Sequence, residues 1–189
     1  MKKIVLTFGL ISGVVMAAAT LLTFPLHDTF GFDRGLVIGY TIMLVAFLLI
    51  FFGIRSYRDN VAGGTVRFGR AFTVGILIGA VASVLYVAAW EVYYFTVEPD
   101  FMADYQEHVL HEARADGETA EQIAERQRDM DRWAELYQNP AVNAAVTFAE
   151  PFPVALVVSL VSAGVLSRRR RTLVGQRDGF PTPPASAAF

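Results

Sequence analysis

Four long stretches of this chain carry no charge, and they constrain its fold more than any other feature. Ile4 to Phe24 is 21 residues without Asp, Glu, Lys or Arg. Gly35 to Ile54 and Ala71 to Trp90 are 20 each, and the third run continues past Glu91 to Val97. The fourth, Ala141 to Ser167, is interrupted only by Glu150. A hydrocarbon core about 30 Å thick takes roughly 20 apolar residues in helical form. None of the runs alternates strictly, as a barrel strand would. Helices are the economical reading, because unpaired backbone groups in lipid are costly. The expected fold is an all-α membrane protein with four transmembrane helices, over about 4–26, 35–54, 70–97 and 141–167. Composition agrees: 54% of residues are hydrophobic and 18% charged, against roughly 45–50% and 25% in an ordinary soluble chain.

The first run competes with a secretory signal. Lys2 and Lys3 give a basic start, and Ala17-Ala18-Ala19 resembles a small-residue cleavage site. The run is longer than the ~7–15 residues of a signal's apolar region. Cleavage would also leave an odd number of spans, so a retained helix is the expectation.

Orientation follows from where Lys and Arg fall. Lys2 and Lys3, then Arg55, Arg58, Arg67 and Arg70, then Arg168, Arg169, Arg170, Arg171 and Arg177 lie on one side. That is 11 of the 16 basic residues, with only Asp59 and Asp178 among them as acids. The other side has 14 acids between Asp28 and Glu135. Both termini are therefore expected in the cytoplasm of a bacterial inner membrane, with residues 98–140 as an outward insert. The membrane domain covers 1–171, and the Pro-rich tail 172–189 is expected to be disordered. The arginines at 55, 58, 67, 70 and 168–171 suit anionic lipid headgroups. Gly63-Gly64 beside them reads as a tight turn, since no Walker lysine or preceding strand supports phosphate binding. The formal charge of −2 excludes a strongly basic nucleic-acid binder. The absence of Cys excludes a disulfide framework, a thiolate metal site and a Cys nucleophile.

Lipid gives helices no hydrophobic reason to associate, so close approach relies on small residues. Gly9 and Gly13, Gly35 and Gly39, the ladder Ala71-Gly75-Gly79-Ser83, and Ala155-Ser159-Ala163 each recur every four residues. They predict one compact bundle, with homo-oligomerisation through one such face as an option. The outward insert reads as a helical hairpin broken at Asp116-Gly117. Phe101, Tyr105, Val109 and Ala113 form one stripe. Ile123, Met130, Trp133 and Tyr137 form another, after a capping box at Thr119 to Gln122. The two stripes are expected to bury against each other and the membrane surface. The insert has 12 acids and four arginines, a field that favours cations. A protein partner at this hairpin is the leading functional reading.

Three groups of residues carry the alternatives. Asp104, His108 and His111 share one helix face, flanked by Glu107 and Glu112, and their chemistry suits Zn²⁺ or Cu²⁺. The order is not the His-Glu-x-x-His of a zinc protease, so a solvated polar face is favoured. No cofactor and no catalytic motif is expected. Glu91 lies roughly 10 Å inside the outer boundary at ~1.5 Å per residue. Acids inside a membrane are functional candidates by default. By the same rise Glu91 and Glu150 lie roughly 31 and 27 Å from the inner arginines, so they can meet at similar depth. A small cation or proton transporter component built on them is the runner-up, although four unbroken spans argue against a full secondary transporter. Glu150 precedes Pro151, where helical backbone is disfavoured, so it is expected to cap a helix at a break. Glu91 is expected to reach Tyr86, Tyr93, Tyr94 or Arg34. Trp90, Tyr93 and Tyr94 read as an interfacial aromatic belt.

Several of these stretches are similar to one bacterial family. They are Phe52-Gly-Ile-Arg-Ser-Tyr-Arg-Asp, Gly63-Gly-Thr-Val-Arg-Phe-Gly-Arg-Ala-Phe72, Pro99-Asp-Phe-Met102, Asn139-Pro140 and Thr147-Phe-Ala-Glu-Pro-Phe-Pro153. The chain resembles domain of unknown function forty-one ninety-nine from roughly Lys3 to Arg171. The resemblance implies a four-span inner-membrane protein with an outward helical insert, and no assigned activity. Trp90-Glu91 and Phe148-Ala149-Glu150 match the pattern. Pro151 departs from it, where an aliphatic residue is expected.

Overall fold

The computed structural model describes residues 1–23 and 32–168. Arg169, Arg170, Arg171, Arg177 and the tail lie outside the described residues, as does His27. Among the described residues, seven α-helices follow in order: α1 (Lys2–Thr23), α2 (Phe32–Asn60), α3 (Phe68–Val92), α4 (Phe101–Ala115), α5 (Ala120–Tyr137), α6 (Pro140–Ala149) and α7 (Pro151–Leu166). A π-helical turn, Tyr93–Val97, extends α3. No strand occurs among the described residues. Four helical stretches are long and apolar enough to cross a membrane: Lys2–Thr23, Val37–Asn60, Phe68–Val97 and Pro140–Leu166.

The spans are apolar on both sides, but only one side of each is buried. In α1 the buried residues are Val5, Gly9, Ser12, Gly13 and Met16, one stripe at helical spacing. The outward faces keep large aliphatic side chains: Leu48, Val84 and Val161 are 55%, 61% and 61% exposed. Such surfaces are stable against lipid, not water. The interior is built from Phe47, Ile50, Ile54, Val74 and Ile78, all fully buried, with alanines between them.

Small residues set the spacing of the helices. A Cβ on Gly9 would lie 2.7 Å from Val81 Cβ, and one on Gly13 would lie 2.8 Å from Leu85 Cβ. The register rises together on both helices, so α1 and α3 run parallel. A Cβ on Gly75 would meet Ser159 Oγ at 2.9 Å, and one on Gly79 would meet Ala155 Cβ at 2.6 Å. Here the register runs in opposite senses, so α3 and α7 are antiparallel. Ile54 faces Gly75, and Ile50 faces Gly79, which sets α2 antiparallel to α3. These faces are therefore occupied within the chain. Ser12 Oγ adds an interhelical bond, donating to the Ala46 carbonyl at 2.9 Å. The Gly35–Gly39 pair behaves differently: a Cβ on Gly39 would meet nothing within 4 Å.

This order gathers Lys2, Lys3, Arg55, Arg58, Arg67, Arg70 and Arg168 at one end of the bundle. Gly63 and Gly64 turn the chain there, with φ of 68° and 87°. Asp59 holds two of the arginines, with Arg58 Nε at 2.7 Å and Arg55 Nε at 3.7 Å. Helices α4 and α5 lie beyond the other end of α3 and contact each other. Gly117, at φ 79°, makes the turn between them.

Candidate functional site

The site begins where α3 loosens into its π-helical turn. The Glu98 N–H donates to the Tyr93 carbonyl at 3.1 Å, five residues back. Such turns widen a helix and recur at functional positions. Three aromatic rings lie at or just before this one. Trp90, Tyr93 and Tyr94 are buried against Phe101 of α4 and Tyr137 of α5. Trp90 meets Phe101 edge-on, with centroids 5.3 Å apart at 87°, and Tyr94 meets Tyr137 at 5.8 Å and 70°. The sequence suggested a lipid-facing belt for these rings. They are instead buried, packed between the span and the hairpin.

A polar knot ties the same junction. Trp90 Nε1 donates to Asn143 Oδ1 at 2.9 Å, and Thr147 Oγ1 donates to the same oxygen at 3.2 Å. Asn143 Nδ2 donates to the Tyr137 carbonyl at 3.4 Å. Asn143 is fully buried, so these bonds offset the cost of placing an amide there. Helices α3, α5 and α6 thus meet on one side chain. Asn139 caps α6 by accepting from the Ala141 N–H at 3.0 Å, and Pro140 occupies its first turn. The expected capping box at Thr119 and Gln122 is present at the start of α5.

Between the hairpin and the bundle lies a chamber of about 450 Å³. Met16, Thr20, Gly39 and Met43 line it from α1 and α2. Tyr86, Trp90, Thr147 and Glu150 line it from α3, α6 and the α6–α7 junction, and Tyr105, Met130, Trp133 and Tyr137 from the hairpin. Ligand pockets span about 300–1,000 Å³ and are mostly apolar with a few polar groups. This chamber fits that description. Among the described residues lining it, Glu150 alone bears a charge. The hairpin stripes were expected to close on each other. Leu110 and Ala113 are buried, but Tyr105 and Trp133 stay exposed and face the chamber.

Glu150 stands at the break between α6 and α7, as expected, but its side chain makes no cap. Its φ and ψ are −74° and −61°, ordinary helical values. Pro151 acts instead by removing a backbone donor, which leaves the Thr147 carbonyl without its helical partner. Helices α6 and α7 therefore run on as one span with Glu150 at the joint. Its Oε2 accepts from Tyr86 Oη at 3.4 Å. Glu91 is half-buried, and its Oε1 has no hydrogen-bond partner among the described residues. Two of the hydroxyls expected to serve it have other partners: Tyr86 donates to Glu150 and Tyr93 to Glu98. Arg34 is exposed. Both carboxylates nevertheless act on one group. Burial pushes the Tyr137 phenol above its usual range, a hydrogen bond with Thr147 opposes this, and Glu150 and Glu91 push it further up.

The other sequence candidates sit apart from the chamber. His108 Nε2 lies 3.4 Å from Glu112 Oε1, and His111 is exposed. Asp104, His108 and His111 are not gathered into a ligand set; among the described residues no three His, Asp or Glu side chains are. Arg55, Arg67, Arg70 and Arg168 are exposed, and Arg58 is half-buried, at the opposite end.

With this geometry in place, comparison with known proteins becomes informative. A family model described as "Protein of unknown function (DUF4199)" matches residues 7–168. The chain belongs to that family. The match takes in most of the first span, the other three spans, the hairpin and every described residue lining the chamber. No curated protein and no solved structure matches the chain. The DUF4199 assignment agrees with the resemblance read from the sequence. It adds no activity, so function rests on the site.

Sequence reasoning missed Asn143, Thr147 and the chamber itself. One signal was available for Asn143: it is the lone amide in the fourth apolar run, and a buried amide needs partners. Nothing in a linear pattern marks a volume that six helices leave unfilled.

Proposed function

We propose that this DUF4199 protein is a non-enzymatic protein of the bacterial inner membrane that acts by binding through its acidic hairpin. Both termini lie in the cytoplasm and the hairpin in the periplasm. The single observation that carries the reading is how the hairpin is held. Its base is fixed to the bundle through Trp90, Asn143 and Tyr137. Yet no residue of α5 is fully buried, and Glu121, Glu125, Asp129, Asp131 and Glu135 are all exposed. A firmly seated element with a solvated acidic surface suits a basic protein face. The division of charge between the two ends supports the orientation.

The chain has no cysteine, which makes the orientation easy to test. Single variants Ala115→Cys and Thr65→Cys are treated with a membrane-impermeant maleimide on spheroplasts. Labelling of the first alone is expected; labelling of the second alone overturns the topology. For the partner, a photocrosslinker at Ala124 is compared between wild type and a hairpin whose five α5 acids are made amides. A captured protein lost on neutralisation and at high salt is the expected result. Capture that survives neutralisation removes the charge argument.

One observation favours a second reading. Glu150, the interruption of the fourth apolar run, opens onto the chamber, where a cation or proton path would use a carboxylate. Proteoliposomes with no cation or proton flux above background, and no change with Glu91→Gln or Glu150→Gln, would exclude it.

A further inference from the structure

The chamber asks for an occupant of particular chemistry. We propose that it binds a lipophilic monocation: a bulky apolar body with one positive charge and no anionic group. Three independent features point there. The first is charge. Glu150 contributes the only charge among the described lining residues, with no Arg, Lys or His on the wall to neutralise it. Its one hydrogen bond, from Tyr86, is long. A cation in the chamber would supply the missing counter-charge, whereas a phospholipid headgroup would bring a phosphate that no lining cation could meet.

The second feature is the wall. Tyr86, Trp90, Tyr105, Trp133 and Tyr137 surround the space. Aromatic faces attract cations, Trp most strongly. Four methionines, Met16, Met43, Met102 and Met130, complete much of the remaining surface. Flexible thioethers accommodate apolar bodies of varied shape.

The third is the way space is made. Gly9, Gly13, Gly53, Gly75 and Gly79 each lie against a neighbouring helix, but Gly39, which lines the chamber, meets nothing within 4 Å. A small residue there keeps the wall of α2 flat beside the chamber. Trp133, more than half exposed, marks where the chamber reaches the surface.

The chain carries its own reporter. It has two tryptophans, Trp90 and Trp133, and both line the chamber. The full chain, reconstituted in lipid nanodiscs, is titrated with tetraphenylphosphonium, and separately with tetraphenylborate, which has the same shape and opposite charge. Intrinsic fluorescence excited at the indole edge reports occupancy. The expected result is a saturable change with the cation and none with the anion beyond empty nanodiscs. Glu150→Gln should weaken the cation by about tenfold or more, the loss associated with one bond to a charged group. Gly39→Phe, placed where a side chain meets nothing, should abolish saturation without lowering thermal stability. Equal responses to both ions, or a cation response that neither variant changes, would overturn the proposal. Binding that requires Gly39 but not Glu150 would overturn its charge component. The hairpin's partner reading stands or falls on crosslinking instead, so the two failures are distinguishable.

Discussion

The two ends of this bundle use the same sequence device to opposite effect. Toward the basic end, Gly75 and Gly79 bring α3 onto α7 so closely that a methyl group would collide with Ser159 or Ala155. Ile50, Ile54, Val74 and Ile78 fill the remaining space and are fully buried. Toward the hairpin end, Gly35 and Gly39 present the same four-residue spacing, yet no helix enters their groove. Both line the chamber instead. A small-xxx-small pattern states that a face is shallow. It does not state what lies against it. In the closed half that is a helix backbone; in the hollow half it is volume bounded by aromatic rings and one carboxylate. Stability belongs mainly to the first half, and ligand chemistry to the second.

The largest test of this contrast is a pair of identical substitutions. Gly79→Leu forces a side chain into the α3–α7 seam and should destabilise the protein by about 1–3 kcal/mol or more, the usual cost of overpacking. Gly39→Leu should change stability by no more than about 0.5 kcal/mol, as surface substitutions do. Thermal unfolding of both variants in the same detergent, followed by far-ultraviolet circular dichroism, measures the difference. Equal losses at the two sites would mean that the chamber is filled in the native membrane and the contrast is false.

A smaller effect probes the boundary between the halves. Asn143→Leu keeps the volume but strips the acceptor from Trp90 Nε1 and Thr147 Oγ1. Leaving a buried donor unpaired costs about 1–3 kcal/mol. The loss should concentrate at the hairpin junction, so limited proteolysis near Tyr137 should accelerate more than cleavage near Gly63-Gly64. A red-shifted Trp90 emission should accompany it, as the ring gains contact with water. Uniform acceleration at both sites would make Asn143 a general core residue and not a junction pin.

The architecture was largely legible before any coordinates. Charge-free runs of membrane length mark four helices whatever their packing, because the bilayer fixes the length and the backbone must satisfy itself. The hairpin break at Gly117 and the capping box at Thr119 were legible for a local reason: both depend on side chains within a few residues of one another. Gly9 and Gly75 fell where the pattern placed them, since a shallow face needs a neighbour in most bundles. What escaped was set by distance along the chain. Trp90 and Asn143 are 53 residues apart, and no local rule pairs them. The break at Glu150 was legible from Pro151, but not its helical backbone, because the preference before proline is a local average that a packed span can override. The aromatic belt was misjudged because the same rings suit a lipid interface or a protein interior, and only the hairpin's position decides between them.

The smallest effect tests whether the hairpin is as firmly built as its seating implies. Thr119 accepts from the Gln122 N–H, and Gln122 Oε1 accepts from the Thr119 N–H. Thr119→Ala removes the cap at a typical cost of about 1 kcal/mol. Because Ala120, Glu121 and Gln122 are exposed, tertiary contacts do little to absorb that loss at the first turn. Hydrogen exchange should therefore quicken at the amides of Ala120 to Ile123, while Leu110 in α4 and the whole of α3 keep their protection. The chamber should respond in proportion. If Trp133 and Tyr137, at the far end of α5, hold their positions through the aromatic junction, cation binding is unchanged while the first turn frays. If binding weakens along with exchange protection, the hairpin moves as one body over the chamber, and its cap belongs to the binding site as much as Glu150 does.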